Sequence, residues 1–174
     1  QAAEIGTDKV MNDHSTIGLV ILTDGSFGEI PRENYIPAEE KTIYALKKIH
    51  KPFLVLLNSS KPYSDETRKL AIQLKEKYDT TVIPVNCAQI KKEDIDTILE
   101  NILNEFPISE MDFYMPKWID MLDDNNELKK DIIEKVKSTM NDYVTIRDIK
   151  EKSMNLSSDF VQESKTEELD MAKG

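Results

Sequence analysis

The chain has 174 residues, with 33 acidic and 23 basic side chains and a formal net charge of -10 at pH 7. A surface this acidic repels phosphate backbones, so we expect no nucleic-acid partner. No apolar run approaches the ~20 residues of a membrane helix, and the single cysteine, Cys87, excludes an internal disulfide and is typical of a cytoplasmic protein.

Three short apolar runs predict the strands of one sheet. They cover residues 17–23, 53–58 and 81–86, and the first two are apolar almost throughout. Such continuous runs are typical of strands that helices cover on both faces. Pro84 removes one backbone donor from the third run, so we expect that strand at the periphery of the sheet or bulged.

Helical patterns fill the gaps between these runs. Apolar residues at spacings of three and four predict helices over 37–50, after Ser64 as the N-cap, and from Ile95 to Phe106. Each gap is long enough for a crossover helix, which parallel pairing requires. The alternation of strand and helix therefore predicts an α/β fold with a parallel sheet.

The remaining third of the chain is predicted to be helical. The pattern indicates a short helix over 114–122 with Trp118 as a packing anchor, a polar break at 123–126 capped by asparagine, and a long helix over 128–140. From Ser153 onward the chain is polar, which predicts a flexible end.

The loops that follow the three predicted strands are the candidate functional residues, because open parallel sheets bind ligands beyond the carboxyl ends of their strands. The most informative loop is Asn58-Ser59-Ser60-Lys61. At the equivalent position GTPases carry Asn-Lys-x-Asp, whose carboxylate accepts two hydrogens from guanine. Here Ser59 replaces the lysine and Lys61 the aspartate. An ammonium group only donates, and adenine offers an acceptor ring nitrogen, so the change favours ATP. An ordinary turn is the alternative interpretation.

The other two loops give weaker signals. Asn86 and Cys87 fall where GTPases place a Ser-Ala loop against the base, although a strand end with a small buried thiol also fits. Asp24-Gly25 predicts a turn rather than a catalytic group. None of the five glycines is followed by lysine, so the chain holds no G-x-x-x-x-G-K-[ST] phosphate loop. We therefore expect no catalytic residue, no metal site and no hydrolysis by these residues alone.

Several short motifs together resemble one known family. They are Gly6-Thr7, His14-Ser15-Thr16-Ile17-Gly18, Thr23-Asp24-Gly25, Lys51-Pro52-Phe53, Asn58-Ser59, Lys61-Pro62-Tyr63, Glu66-Thr67, Glu76-Lys77-Tyr78-Asp79, Glu105-Phe106-Pro107 and Pro116-x-Trp118. This set resembles the stage IV sporulation protein A family, the spore-coat morphogenetic ATPases of spore-forming Firmicutes.

The resemblance implies a P-loop NTPase domain related to the translation-factor GTPases. Residues 1–107 then form the second half of that domain, which binds the base of the nucleotide. The residues implied to contact the base are Asn58, Ser59, Lys61, Asn86 and Cys87. Residues 108–174 begin a helical middle domain. The residues that hold phosphate and Mg²⁺ belong upstream of Gln1. The first residues already have a helical pattern and no initiator methionine is present, so we expect both ends to be internal to a longer protein.

For the whole protein, the resemblance implies an ATP- and Mg²⁺-dependent scaffold that polymerises with itself. The polymer forms the basement layer of the spore coat, in the mother-cell cytoplasm at the outer forespore surface. A small amphipathic membrane peptide and a LysM-type coat protein are the implied partners.

Two alternatives remain open at the level of sequence. One is a stand-alone α/β regulatory or binding module of the receiver type, although only Asp24 and Lys61 suggest it and no acidic pair accompanies them. The other is a structural fragment that supplies a polymer interface through the helices between residues 114 and 144. A half-domain would also leave a sheet edge exposed, which predicts association or strands supplied by a second copy.

Overall fold

The computed structural model describes residues 9–152 and, beyond them, residues 156, 160–161, 164, 166 and 169–170. The helix predicted at the first residues, the Gly6-Thr7 motif and most of the predicted flexible end lie outside the described residues. The chain divides into two compact units between Glu105 and Phe106. No helix in the described part of the chain is long and apolar enough to span a bilayer.

The first unit is built on a three-stranded parallel sheet, as the sequence predicts. Strand β1 is Gly18–Thr23, β2 is Phe53–Asn58 and β3 is Val82–Val85. The strands lie in the order β1-β2-β3, and both pairs are parallel. Pro84 lies in β3, which pairs only with β2 among the described strands, so its missing donor falls at the periphery as expected.

Helices follow each strand of this unit. Helix α1 is Ile36–Lys48, α2 is Asp65–Tyr78 and α3 is Lys92–Asn104. The predicted cap of α2 is confirmed, because the Ser64 hydroxyl accepts a hydrogen bond of 3.2 Å from the Thr67 amide. A π-helical turn covers Val10–His14. Short 3₁₀-helical turns cover Arg32–Asn34 and Cys87–Gln89.

The core lies on both faces of β2, whose first five residues are all buried. The side chains on one face pack with α1 and α2, and those on the other pack with Ile98 of α3. The prediction that helices cover both faces of β2 is therefore confirmed, and this burial explains why the strand is apolar throughout its first five residues.

Strand β1 departs from that prediction. Leu19 and Ile21 are 49% and 60% exposed, whereas Val20 and Leu22 are buried. The register pairs Leu19 with Leu54 and Ile21 with Leu56, so this open face continues the α3 side of the sheet. The prediction that both faces of the first strand are covered is wrong for the described residues, because none of them packs over Leu19 and Ile21.

The second unit contains helix α4, Glu127–Asp142, and helix α5, Ile146–Glu151, after a tight turn of helix at Lys117–Met121. Asn126 caps α4 as predicted, since its side-chain oxygen accepts a hydrogen bond of 3.0 Å from the Leu128 amide. Helix α5 was not predicted.

The short helix predicted over 114–122 is shorter and tighter than expected. Only Lys117–Met121 is helical, after Pro116 in extended conformation. With about three residues per turn, this segment turns one side chain inward. That side chain is Ile119, 6% exposed, while Trp118 is 53% exposed. The prediction that Trp118 anchors the packing is therefore wrong.

Acid is expected to loosen the start of α5 through Asp148. Burial raises the pKa of this carboxyl, but hydrogen bonds from Lys152, Thr145 and Val144 outweigh burial and lower it from 3.8 to about 2. A carboxyl whose pKa is lower in the folded state stabilises the fold above pH ~4, and that stability is lost as the pH falls towards 2. Solvent screens the ion pair with the half-exposed Lys152, so we expect a loss of only about 1 kcal/mol.

Hydrogen exchange of the Val144 and Thr145 amides, which donate to this carboxylate, measures the loss directly. In an Asp148→Asn variant the protection should be lower at neutral pH and should change less on acidification. Equal pH dependence in the two proteins would contradict this role of Asp148.

Candidate functional site

The three strands end side by side, because the register pairs Thr23 with Asn58 and Asn58 with Val85. The loops that follow them consequently leave the sheet at one edge. All five predicted site residues lie at this edge, at the end of β2 and in the loops after β2 and β3. They are Asn58, Ser59, Lys61, Asn86 and Cys87.

Asn58 joins the loops on either side of it. Its side-chain Oδ1 accepts a hydrogen bond of 3.0 Å from the Cys87 amide, in the loop after β3. Its backbone carbonyl accepts one of 3.2 Å from the Asp24 amide, in the loop after β1. This residue therefore fixes the spacing of the three loops.

Ser59 faces the interior of the unit. It is 1% exposed. Its Oγ accepts a hydrogen bond of 3.0 Å from the Lys61 amide and lies 3.1 Å from the Thr67 hydroxyl. The hydroxyl thus builds the loop from within.

Lys61 combines a fixed backbone with an exposed side chain. Its carbonyl accepts hydrogen bonds of 3.0 Å from the Ser64 amide and 3.1 Å from the Thr67 hydroxyl. The cap of α2 therefore holds the backbone of this residue, and its ammonium group can only donate hydrogen bonds.

Asn86 and Cys87 form the start of the third loop. The Asn86 side chain accepts a hydrogen bond of 3.0 Å from the Ala88 amide and caps the turn at Cys87–Gln89. Cys87 is half-buried and packs against the core cluster beneath α3. Burial raises the pKa of the Cys87 thiol, so it is neutral at pH 7.

The loop after β1 contains the predicted turn. Gly25 has a φ of 84°, which favours glycine, and the Asp24 carboxylate accepts a hydrogen bond of 2.9 Å from the Ser26 amide. Burial raises the pKa of Asp24, but hydrogen bonds from Ser26 and Ser59 outweigh burial and hold it below its usual value. The carboxylate is therefore charged at neutral pH.

Sequence comparison assigns the whole chain to two consecutive domains of one protein family. The ATPase domain of stage IV sporulation protein A matches residues 1–107, and the middle domain of the same protein matches residues 108–174. The chain belongs to the stage IV sporulation protein A family. All five predicted site residues lie within the match to the ATPase domain.

Three relatives support this assignment, and all carry the name stage IV sporulation protein A. The protein of Clostridioides difficile (strain 630) is 41% identical over 175 residues, which cover 100% of this chain and 36% of that protein. The protein of Bacillus subtilis (strain 168) is 42% identical over 149 residues, 86% of this chain and 30% of that protein. The protein of Bacillus anthracis is 38% identical over 175 residues, which cover 100% of this chain and 36% of that protein.

The chain thus spans about a third of the length of these relatives. No solved structure matches it. The family name indicates a role in sporulation.

Arg32 is a site residue that sequence analysis did not single out. Its Nη1 donates a hydrogen bond of 2.6 Å to the carbonyl of Thr23, where β1 ends. Its Nη2 donates to both oxygens of Glu39, at 3.0 and 3.2 Å. Glu39 is buried on α1 and also accepts a hydrogen bond of 2.7 Å from the Tyr78 hydroxyl. The signal in the sequence was a glutamate on the inner side of α1, since a buried carboxylate needs a cationic partner.

This edge carries groups that can form hydrogen bonds and ion pairs. It offers an ammonium group at Lys61, a carboxylate at Asp24 and several backbone groups held in fixed positions. In the part of the chain that the structure describes, no three His, Cys, Asp or Glu side chains lie close enough together to hold a metal ion.

Proposed function

We propose that the edge formed by Asn58, Ser59, Lys61, Asn86 and Cys87 binds the base of ATP in an ATPase domain of the P-loop NTPase type. The observation that carries this proposal is the hydrogen bond of 3.0 Å from the Cys87 amide to the Asn58 side chain. It ties two loops together at the place where open parallel sheets bind ligands.

The preference for adenine rests on Lys61. Its exposed ammonium group donates hydrogen bonds and accepts none, so it pairs with an acceptor nitrogen of adenine. The N–H groups of guanine would meet a cation instead. Ser59 contributes indirectly, because its buried hydroxyl holds the Lys61 amide.

The phosphate and Mg²⁺ ligands are assigned to the remainder of the domain, outside this chain. The exposed Leu19 and Ile21 on β1 support this division, since an open apolar face beside a strand is where further strands and helices pack. When bound, Mg²⁺ neutralises the charge of the phosphates. The residues of this chain hold and orient the base.

For the whole protein we propose an ATP-hydrolysing scaffold that polymerises into the basement layer of the spore coat at the forespore surface. The small amphipathic membrane peptide and the LysM-type coat protein remain its proposed partners. The receiver-like alternative has less support, because the Asp24 carboxylate closes a turn instead of joining an acidic pair.

A polymer interface in the second unit is a separate proposal with its own observation. Tyr114, Trp118 and Met121 are 84%, 53% and 87% exposed within eight residues of chain, an unusual density of large apolar surface. Replacing Trp118 and Met121 with aspartate should reduce polymer mass in a sedimentation assay and leave nucleotide binding unchanged. Polymer yield equal to that of the wild type would count against the interface.

Alkylation of Cys87 tests the proposed base site. We expect ATP to slow modification of this half-buried thiol in the full-length protein, because the base would lie against the loop that carries it. Mass spectrometry of the Cys87 peptide gives the rate at one fixed pH, with GTP at equal concentration as the control. Equal rates with ATP, with GTP and without nucleotide would overturn the proposed function.

A further inference from the structure

The side chain of Arg32 makes two contacts of different kinds. One nitrogen donates to the carbonyl that ends β1, and another donates to the carboxylate of Glu39 on α1. Both side chains are well removed from solvent, with 15% and 2% exposure. The rigid fork of a guanidinium group can hold both acceptors at once, which an ammonium group cannot do with the same geometry.

The loop after β1 meets the rest of its unit at Arg32. Residues 26–31 are all exposed. Gly25 lies so close to Arg32 that a side-chain carbon added to it would be 3.1 Å from the Arg32 amide nitrogen. The turn at Gly25 therefore packs directly against Arg32, and a movement of Arg32 would move this turn.

The same loop supports the base-binding edge. The Ser26 hydroxyl accepts a hydrogen bond of 2.8 Å from the Ser60 amide. The Asp24 amide donates a hydrogen bond of 3.2 Å to the Asn58 carbonyl. A shift of this loop would consequently remove two partners from the segment between Asn58 and Lys61.

We infer that Arg32 is a positioning residue for nucleotide recognition: by joining Thr23 to Glu39 it fixes the loop after β1, and that loop fixes the loop carrying Lys61. The link to nucleotide binding rests on the function proposed above. The link from Arg32 to the loops rests on hydrogen bonds and on the close approach of Gly25 to Arg32, and it is tested independently of any nucleotide.

Two substitutions separate positioning from general stability. Arg32→Lys keeps a cation opposite Glu39 but loses the fork that also holds the Thr23 carbonyl. Tyr78→Phe is the matched control, because it removes one hydrogen bond from the same carboxylate and leaves the loop contact in place. Thermal unfolding establishes how far each variant is destabilised.

The first measurement is hydrogen exchange in the full-length protein without nucleotide. We expect Arg32→Lys to speed exchange of the Ser26 and Ser60 amides about tenfold, the change that corresponds to ~1.4 kcal/mol. Tyr78→Phe should leave these amides within about twofold of wild type. Equal exchange in Arg32→Lys and wild type, or equal acceleration in both variants, would overturn the positioning role.

The second measurement is the KM and kcat for ATP. Arg32→Lys should raise KM by about five- to tenfold and change kcat by less than about twofold, because the base is bound less well in ground and transition states alike. Tyr78→Phe should change neither. An unchanged KM in Arg32→Lys would overturn the inference, whereas a wild-type protein that binds no nucleotide would overturn the proposed function and leave the exchange result standing.

Discussion

Replacing Lys61 with aspartate is expected to turn a preference for ATP into a preference for GTP. The Lys61 backbone is held by the cap of α2, so the new carboxylate would lie in the same loop, closer to the backbone than the ammonium group that it replaces. A carboxylate accepts the two N–H groups that guanine presents and cannot donate to the ring nitrogen of adenine. A well-placed pair of hydrogen bonds discriminates between bases by ~1–3 kcal/mol, so we expect the ATP/GTP affinity ratio to fall by roughly 5- to 150-fold.

Two further variants test whether the new carboxylate at position 61 causes the change in the ATP/GTP affinity ratio. Lys61→Ala should weaken ATP binding and should strengthen GTP binding less than Lys61→Asp does, since it removes the cation and adds no acceptor. Lys69→Asp makes the same change of charge at an exposed position on α2 and should leave the ratio unchanged. Competition titrations with the full-length protein measure the ratio. If Lys61→Asp weakens both nucleotides equally, Lys61 does not contact the base.

Replacing Asn58 with alanine should have the largest effect on the site as a whole. The substitution removes the acceptor of the Cys87 amide and leaves that half-buried group without its partner. An unsatisfied buried donor costs ~1–3 kcal/mol of stability. The loops after β2 and β3 would also lose their link, so we expect nucleotide affinity to fall by about tenfold or more.

Asn58→Asp is the control for this substitution, because its side chain has the same shape and keeps an acceptor for the Cys87 amide. It should retain more of the stability and of the affinity than Asn58→Ala. Denaturant unfolding and nucleotide titration give the two quantities separately. The role assigned to Asn58 would be wrong if the alanine variant bound nucleotide as tightly as the wild type.

The sheet was predictable because burial on two faces leaves a clear mark in the sequence. Phe53–Asn58 is apolar for five residues, and the structure places it between two layers of helix. Parallel pairing followed from the length of the crossovers, and the location of the loops followed from parallel pairing. The structure confirms that these loops leave the sheet at one edge, and ligand binding at that edge stays a prediction.

Side-chain direction was less predictable. A serine in a loop suits solvent or interior equally well, and only the structure places the Ser59 hydroxyl inside. Trp118 was expected inside because tryptophan is large and apolar, but the tight turn directs Ile119 inward instead. The ion pair of Arg32 and Glu39 joins an irregular loop to a helix, so the helical pattern can place Glu39 inside but cannot identify Arg32 as its partner.

Helix α5 shows a local signal that was overlooked. Thr145 and Asp148 satisfy each other's backbone amides in a capping box, a motif that marks the start of a helix. The helix has only six residues, too few for apolar periodicity to be visible. Capping residues therefore indicate short helices better than periodicity does.

The most direct test of the central claim is a hydrogen-exchange map of the full-length protein with and without ATP. We expect ATP to slow exchange at the ends of the three strands and in the loops that follow them, at residues 23–26, 58–61 and 86–89. The same map with GTP should show weaker protection. Protection by ATP that spares these loops, or that is no stronger than protection by GTP, would contradict a base site for adenine at this edge.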